Sequence, residues 1–328
     1  MRIGVFGAGS IGCMVGGRLT QSGEDVVLFG RERLADEIRE HGLTLTRGDE
    51  PALQTAANYT TELEALADCD IVLVTVKSKD SAGAGIALRS HLSPGARVIS
   101  LQNGVTNADT LRAEFEQTVL AGMVPFNVLS RGEGRFHQGT SGTLVVERGG
   151  EDLVDALNRA GIPSKCHGDL PGILHGKLLI NLNNALNGLS GLPLKEQLSD
   201  RRYRLLMADL IDEGRRVFSA AGIHPKGVGI LQPWLIPSAL RLPDWLFTRV
   251  ARRMVDIDPQ ARSSMWEDLD RRRPTEVDDL NGEVVRIATR ASTQAPLNAA
   301  IVALVHQAES RGAGSPHIDA EALRNAIS

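Results

Sequence analysis

A chain of 328 residues is long enough for two domains of ordinary size. Its 42% hydrophobic and 23% charged residues exclude a disordered or fibrous chain. A formal net charge of −4 gives no reason to expect nucleic acid or an anionic membrane as partner, and no apolar stretch is long enough to span a bilayer.

The chain opens on an apolar run, Arg2-Ile3-Gly4-Val5-Phe6, which leads into Gly7-Ala8-Gly9-Ser10-Ile11-Gly12 and then into a segment with helical spacing. Strand, glycine turn and helix start, in that order, make a pocket for a pyrophosphate. The first glycine permits the tight turn, the second lets the backbone approach the phosphates, and the third lets helix and strand pack closely. The helix adds unpaired N–H groups and the positive end of its dipole. Among 34 glycines this spacing alone is weak evidence, and the flanking strand and helix give it weight. The expected dinucleotide contacts are Gly7, Ala8, Gly9, Ser10, Ile11 and Gly12. A strand starting this early leaves no room for a signal peptide.

The next strand, Val26 to Phe29, ends at Gly30-Arg31-Glu32-Arg33. A site for NAD usually places an Asp or Glu at this strand's end to accept from the ribose 2′-OH. Here that place holds Gly30, followed by Arg31 and Arg33, which suit a 2′-phosphate. The expected cofactor is NADP(H); solvated surface charges are the alternative for the two arginines. Cys13, Cys69 and Cys166 are scattered without metal-ligand or disulfide-framework spacing, and the cytoplasm is the expected location. Cys13 reads as a small packing residue in the first turn of the first helix.

Strands and helices alternate through the first half. A short amphipathic helix covers Leu34 to Glu40, Leu43 to Thr46 reads as a strand, and a polar stretch around Thr55 to Thr61 leads away from it. Ile71 to Val76 is a buried strand closing on Lys77. A helix from about Ala82 to Leu92 ends at Ser93-Pro94-Gly95, and the strand Arg97 to Leu101 stops at Gln102-Asn103-Gly104. Leu120 to Val128, Arg135 to Thr140 and Thr143 to Val146 read as further strands, the last two as a hairpin. This alternation predicts a mainly parallel sheet covered on both faces, with ligands beyond the carboxyl ends of its strands, where Lys77 and Asn103 stand.

Beyond about residue 168 helical periodicity dominates: Ile173 to Leu189, Arg202 to Ala221, Trp245 to Val255, Val277 to Arg290 and Pro296 to Arg311, with a frayed polar tail after Gly312. The domain boundary is expected at Gly168-Asp169, giving an α/β domain over 1–168 and an all-α domain over 169–328. Trp234, Leu235, Trp245 and Leu246 either line a self-association surface, as in a homodimer, or pack internally.

Three further stretches have the residues for chemistry. Lys177, Asn181 and Asn184 fall at i, i+4 and i+7 on one helix face among apolar neighbours. A partly desolvated lysine there loses basicity and becomes a proton donor near neutral pH; a solvent-facing stripe is the alternative. Pro274-Thr275-Glu276 opens a helix with Glu276 in its first turn, where a carboxylate also serves as a simple cap. Asn103 either contacts a ligand or forms a plain Asn-Gly turn.

Taken together, these stretches resemble the ketopantoate reductase (2-dehydropantoate 2-reductase) family over nearly the whole chain. The resemblance runs from the glycine turn through Val76-Lys77, Leu101-Gln102-Asn103-Gly104-Val105, Gly176-Lys177-Leu178-Leu179-Ile180-Asn181, Ser263-Ser264-Met265 and Pro274-Thr275-Glu276-Val277-Asp278 to Pro296-Leu297-Asn298. It implies a Rossmann-type doubly wound domain followed by a helical domain, as in 6-phosphogluconate dehydrogenase-like folds, with the active site between them. It implies NADPH-dependent reduction of 2-dehydropantoate to (R)-pantoate, a step of pantothenate and coenzyme A biosynthesis.

By the same resemblance Lys177 is the catalytic general acid and Glu276 a catalytic carboxylate that also meets the cofactor. Asn103 stands at the junction of cofactor and substrate. Asn181 and Ser264 bind substrate, and Arg31 and Lys77 bind cofactor. No metal is implied. One position departs from the pattern: the family commonly has a second asparagine eight residues after the lysine, where this chain has Ala185. Asn184, about 100° away around a helix, is the candidate replacement. Another branched 2-oxo acid as substrate therefore stays open, as do a different Rossmann-plus-helical enzyme, such as an opine or hydroxyacid dehydrogenase, and an NADP-binding sensor without turnover.

Overall fold

A computed structural model describes residues 1–227, 232–250 and 261–327. The chain divides into two compact units, Met1–Leu170 and Pro171–Ser328.

In the first unit, β1 (Arg2–Phe6), β2 (Asp25–Phe29), β5 (Asn58–Thr60), β6 (Ile71–Val74), β7 (Arg97–Ser100), β8 (Val119–Met123), β11 (Leu144–Glu147) and β12 (Ser164–His167) form one sheet in the order β12-β11-β8-β7-β6-β1-β2-β5. Its pairings are parallel except β8 with β11. The central strands are apolar throughout because both faces are covered. Ile3, Val5, Leu73 and Ile99 point into one core, with α1 (Ser10–Gln21), and the alternate residues Val72, Val74 and Val98 into the other, with α3 (Ser81–Arg89). The remaining helices of the unit are α2 (Glu32–His41), α4 (Asn107–Arg112) and α5 (Glu151–Arg159). Cys13 is fully buried in the first turn of α1.

A second sheet, in the order β4-β3-β10-β9, joins β3 (Leu43–Arg47), β4 (Leu53–Thr55), β9 (Val128–Gly132) and β10 (Arg135–Gln138). The two sheets together correct three expectations. The segment read as one strand, Leu120 to Val128, is β8 and the start of β9 in different sheets, separated at Pro125, which has no N–H to give a ladder. The expected hairpin does not form: β10 pairs with β9 and β3, whereas β11 pairs with β8 and β12. Local alternation marks a strand, but its partner is set by packing at long range. The polar stretch at Thr55 to Thr61 contains β5, which extends the main sheet beside β2.

The regular elements among the second unit's described residues are all helical, and its α-helices are α6 (Leu170–Asn181), α7 (Asn183–Ser190), α8 (Leu194–Ser199), α9 (Arg201–Ala220), α10 (Ile236–Leu240), α11 (Asp244–Val250), α12 (Ser264–Asp270), α13 (Asn281–Arg290), α14 (Pro296–Arg311) and α15 (Ala320–Ile327). The expected helix Trp245 to Val255 is seen as α11, and its residues 251–255 lie outside the described residues. The single helix expected over Ile173 to Leu189 is two, parted at Leu182.

The tail after Gly312 is not frayed. Asp319 Oδ1 accepts from the Glu321 and Ala322 N–H groups, and Ala320, Leu323 and Ile327 are buried along one stripe of α15. Trp234, Leu235 and Trp245 are exposed, and Leu246 is half-buried. No helix among the described residues is long and apolar enough to cross a membrane.

Candidate active site

The sheet order sets four loops of the first unit side by side. The carboxyl ends of β7, β6, β1 and β2 carry, in that sequence, Asn103, Lys77, the glycine turn and Gly30-Arg31. The chain runs from β1 to β2 on one side and from β6 to β7 on the other, which is where a doubly wound sheet opens a binding crevice.

The three glycines of the turn meet different demands. Gly7 has φ +81, and a Cβ there would lie 2.2 Å from Val76 Cγ1. At Gly12 a Cβ would lie 2.7 Å from Thr75 Oγ1 and 2.9 Å from Val5 Cγ1, so helix and strand touch only because the side chain is absent. Gly9 has its nearest such neighbour at 3.8 Å, so protein packing does not require glycine there. Gly9 immediately precedes α1, whose first-turn N–H groups receive no side-chain cap and no acidic neighbour. An open approach at Gly9 and uncapped amides beyond it fit a pyrophosphate. Ala8 is buried, with Ser10 and Ile11 half-buried beside it.

The turn is anchored from beneath. The Gly7 and Ala8 amides both donate to the Phe29 carbonyl, at 3.0 and 2.8 Å, and Thr75 Oγ1 donates to the Gly7 carbonyl at 2.9 Å. At the end of β2 the two arginines differ. Arg33 is held by Glu37 at 2.7 Å, whereas the exposed Arg31 side chain makes no hydrogen bond or ion pair among the described residues.

A buried polar network ties the Lys77 and Asn103 loops together. Ser100 Oγ donates to Gln102 Oε1 at 2.9 Å, and Gln102 Nε2 donates to the Val76 carbonyl at 3.0 Å and to Ser81 Oγ at 2.7 Å. Ser81 Oγ donates to Asn107 Oδ1 at 2.8 Å, and Asn107 Nδ2 donates to Ser78 Oγ at 3.0 Å and to the Asn103 carbonyl. Ser78 Oγ also donates to that carbonyl, at 2.9 Å. Ser78, Ser81 and Asn107 carry no sequence signal of this role. Gln102 had one, its place beside Asn103 in a strand-end motif.

In the second unit, Lys177 is half-buried on α6. Burial draws its ammonium down to about 8, and the Glu276 carboxylate acts in the opposite direction. Gly176 explains how α6 is seated: a Cβ there would stand 1.9 Å from the Lys226 carbonyl oxygen, and the Lys226 amide donates to the Gly172 carbonyl at 2.8 Å. Asn181 follows one turn after Lys177 on the same helix, and the break at Leu182 places Asn184 on α7. The neighbouring Asn183 and Asn187 are consumed by structure, since both bond the buried Gln197.

Ser263 Oγ donates to the Asn184 carbonyl at 3.1 Å and accepts from the Trp266 amide as the cap of α12. It thereby seats the half-buried Ser264 against the turn that carries Asn184. Ala185, where an asparagine was in question, is fully buried.

Glu276 does not lie in the first turn of an α-helix, as its sequence context suggested. It precedes a 3-10 turn, Val277–Asp279, and α13 starts only at Asn281, because Leu280 leaves helical dihedrals with φ −108 and ψ −90. The Thr275 amide donates to Glu309 Oε1 at 2.7 Å and fixes the approach to this turn.

The Pro296-Leu297-Asn298 motif is structural. Asn298 is fully buried, and the buried Glu213 carboxylate accepts from the Leu297 amide at 3.0 Å and from the Asn298 amide at 2.8 Å.

Residues 3–151 match the family described as "Ketopantoate reductase PanE/ApbA", and residues 169–309 match "Ketopantoate reductase PanE/ApbA C terminal". The 2-dehydropantoate 2-reductase of Pyrococcus horikoshii is 28% identical over 325 residues, covering 96% of this chain and 100% of the relative. A crystal structure of a PanE/ApbA family ketopantoate reductase from Ralstonia eutropha JMP134 superposes with TM-score 0.82 at 31% identity, covering 95% of this chain and 99% of the other. A D-mandelate dehydrogenase solved with NADH and anilino(oxo)acetate shares the fold, with TM-score 0.80 at 20% identity over 95% of this chain and 99% of the other.

Proposed function

The chain belongs to the PanE/ApbA ketopantoate reductase family, and from that premise we propose that it reduces 2-dehydropantoate to pantoate with NADPH. The observation that carries the reading is Lys177, an ammonium drawn down to about 8 with the Glu276 carboxylate acting on it. A lysine in that range is mostly protonated at neutral pH and still gives up its proton readily.

The glycine turn and the first amides of α1 hold the pyrophosphate, and Arg31 and Lys77 take the 2′-phosphate end. Asn103 orients the nicotinamide end, on a loop held by the Gln102–Ser81–Asn107 network. A bound NADPH supplies the hydride to carbon 2 of the 2-oxo acid. Lys177 Nζ donates its proton to the carbonyl oxygen as that oxygen gains charge, and the neutral amine then recovers a proton from solvent. Glu276 keeps the ammonium form accessible by opposing the effect of burial. Asn181, Asn184 and Ser264 orient the substrate by hydrogen bonds.

Ala185 favours a second reading of the substrate, another branched 2-oxo acid, because a buried methyl group offers no hydrogen bond where the family commonly has an amide. NADPH consumption against a panel of 2-oxo acids tests both. Highest kcat/KM on 2-dehydropantoate supports the first, preference for an unhydroxylated branched acid the second, and no consumption on any member sinks both. We also propose a cytoplasmic location, which the free thiols Cys13, Cys69 and Cys166 support. The exposed Trp234, Leu235 and Trp245 support a homodimer, which sedimentation velocity of the wild type beside Trp245→Glu tests.

A further inference from the structure

Gly30 is a glycine whose conformation does not demand one, since its φ lies outside the left-handed region. Its neighbour demands it. A Cβ on residue 30 would stand 2.0 Å from Tyr59 Oη and 2.9 Å from Tyr59 Cζ, and the next atom, the Ala8 amide nitrogen, is at 3.5 Å. Tyr59 is not free to yield. Its main chain lies in β5, with Tyr59 opposite Leu28 of β2, and the Gly30 amide donates to the adjacent Thr60 carbonyl at 3.1 Å. The ring packs against the core beneath α1, and Oη donates to the Ala8 carbonyl at 3.1 Å. Burial raises the phenol's pKa, so it stays a neutral donor, while the Arg31 main-chain N–H and guanidinium act against that rise.

We infer that Tyr59 determines cofactor choice: its hydroxyl occupies the space that a side chain at the end of β2 would need. It excludes the carboxylate that would select NADH and leaves Gly30-Arg31 open to a 2′-phosphate. This inference rests on the NADPH reading above. Tyr59 acts on specificity through residue 30 and is a positioning residue. It also ties the phosphate turn, at Ala8, to the turn that carries Arg31, so the two ends of the adenosine diphosphate site share one support.

Two measurements test it. In the first, Gly30→Ala, Tyr59→Ala and the double variant are melted without cofactor. Gly30→Ala lowers the melting temperature, and Tyr59→Ala in the same chain removes most of that loss; additive losses overturn the steric claim. In the second, NADPH and NADH dissociation constants are titrated by fluorescence for the wild type, Gly30→Asp and Gly30→Asp/Tyr59→Ala. The single variant binds both cofactors poorly, and the double variant moves the ratio toward NADH by about tenfold or more.

A single variant that binds NADH as tightly as the double overturns the inference, as does a double variant that unfolds or does not bind NADH. A wild type with no preference for NADPH removes the underlying reading instead. The melting cycle, which involves no cofactor, tells that failure from the other.

Discussion

The Glu276 carboxylate raises the pKa of Lys177 but does not undo what burial has taken from it, and the ammonium rests at about 8. A reductase that needs this proton loses kcat as pH rises through that value. Removing the carboxylate removes a contribution that raises the pKa, so in Glu276→Gln the alkaline limb moves to lower pH, by about one unit. Rate–pH profiles of the two proteins check this, and a limb that stays in place or moves upward contradicts it.

Lys177→Ala leaves nothing to protonate the carbonyl oxygen. Its kcat falls by about 10²–10⁴, while NADPH affinity, set in the first unit, stays near wild type. Steady-state kinetics beside a fluorescence titration separates the two quantities. A loss seen mainly in NADPH binding would assign the lysine to the cofactor and not to the proton.

Both Arg31 and Arg33 suit a 2′-phosphate by charge, the family resemblance points to Arg31, and only Arg33 has a carboxylate on it, that of Glu37 at 2.7 Å. Arg31→Ala weakens NADPH by about tenfold, the scale of one charge-assisted contact, and leaves NADH unchanged. Arg33→Ala changes the ratio little. Equal effects from the two substitutions would show that the Glu37 pairing does not keep Arg33 from the cofactor.

Gly9 and Gly12 respond oppositely to an added methyl group. In Gly12→Ala the new Cβ meets Thr75 and Val5 inside 3.0 Å, so unfolding in urea shifts by about 1–3 kcal/mol. Gly9→Ala has room in the protein alone. Its stability without cofactor is that of the wild type, and NADPH binding weakens because the methyl group stands where the phosphates approach. Wild-type NADPH affinity in Gly9→Ala would remove the pyrophosphate from this turn.

Much of the fold is legible locally. Strand, glycine turn and helix at the N-terminus, the apolar runs of β6 and β7, and the helix Pro296–Arg311 all appear where spacing placed them. Each carries its own pattern within a dozen or so residues. What failed was partner choice. The Arg135 and Thr143 strands read as a hairpin and joined different sheets, and the three residues of β5 had too little length for any periodicity. The tail after Gly312 was misread because its stripe, Ala320, Leu323 and Ile327, is short and follows a glycine-rich stretch.

By itself the sequence determined the phosphate-binding turn, the absence of an acidic residue at the end of β2, and the order of lysine, serine and glutamate that places the chain in its family. These are local chemistry, written in consecutive residues and their spacing. Only the tertiary structure decided that Arg33 is held by Glu37, why position 30 must be glycine, how far the Lys177 ammonium is drawn down, and that Asn183 and Asn187 serve Gln197. Those outcomes depend on burial and on contacts between residues distant in the chain. A side chain's pKa, its room and its partners are set by the atoms that folding brings around it.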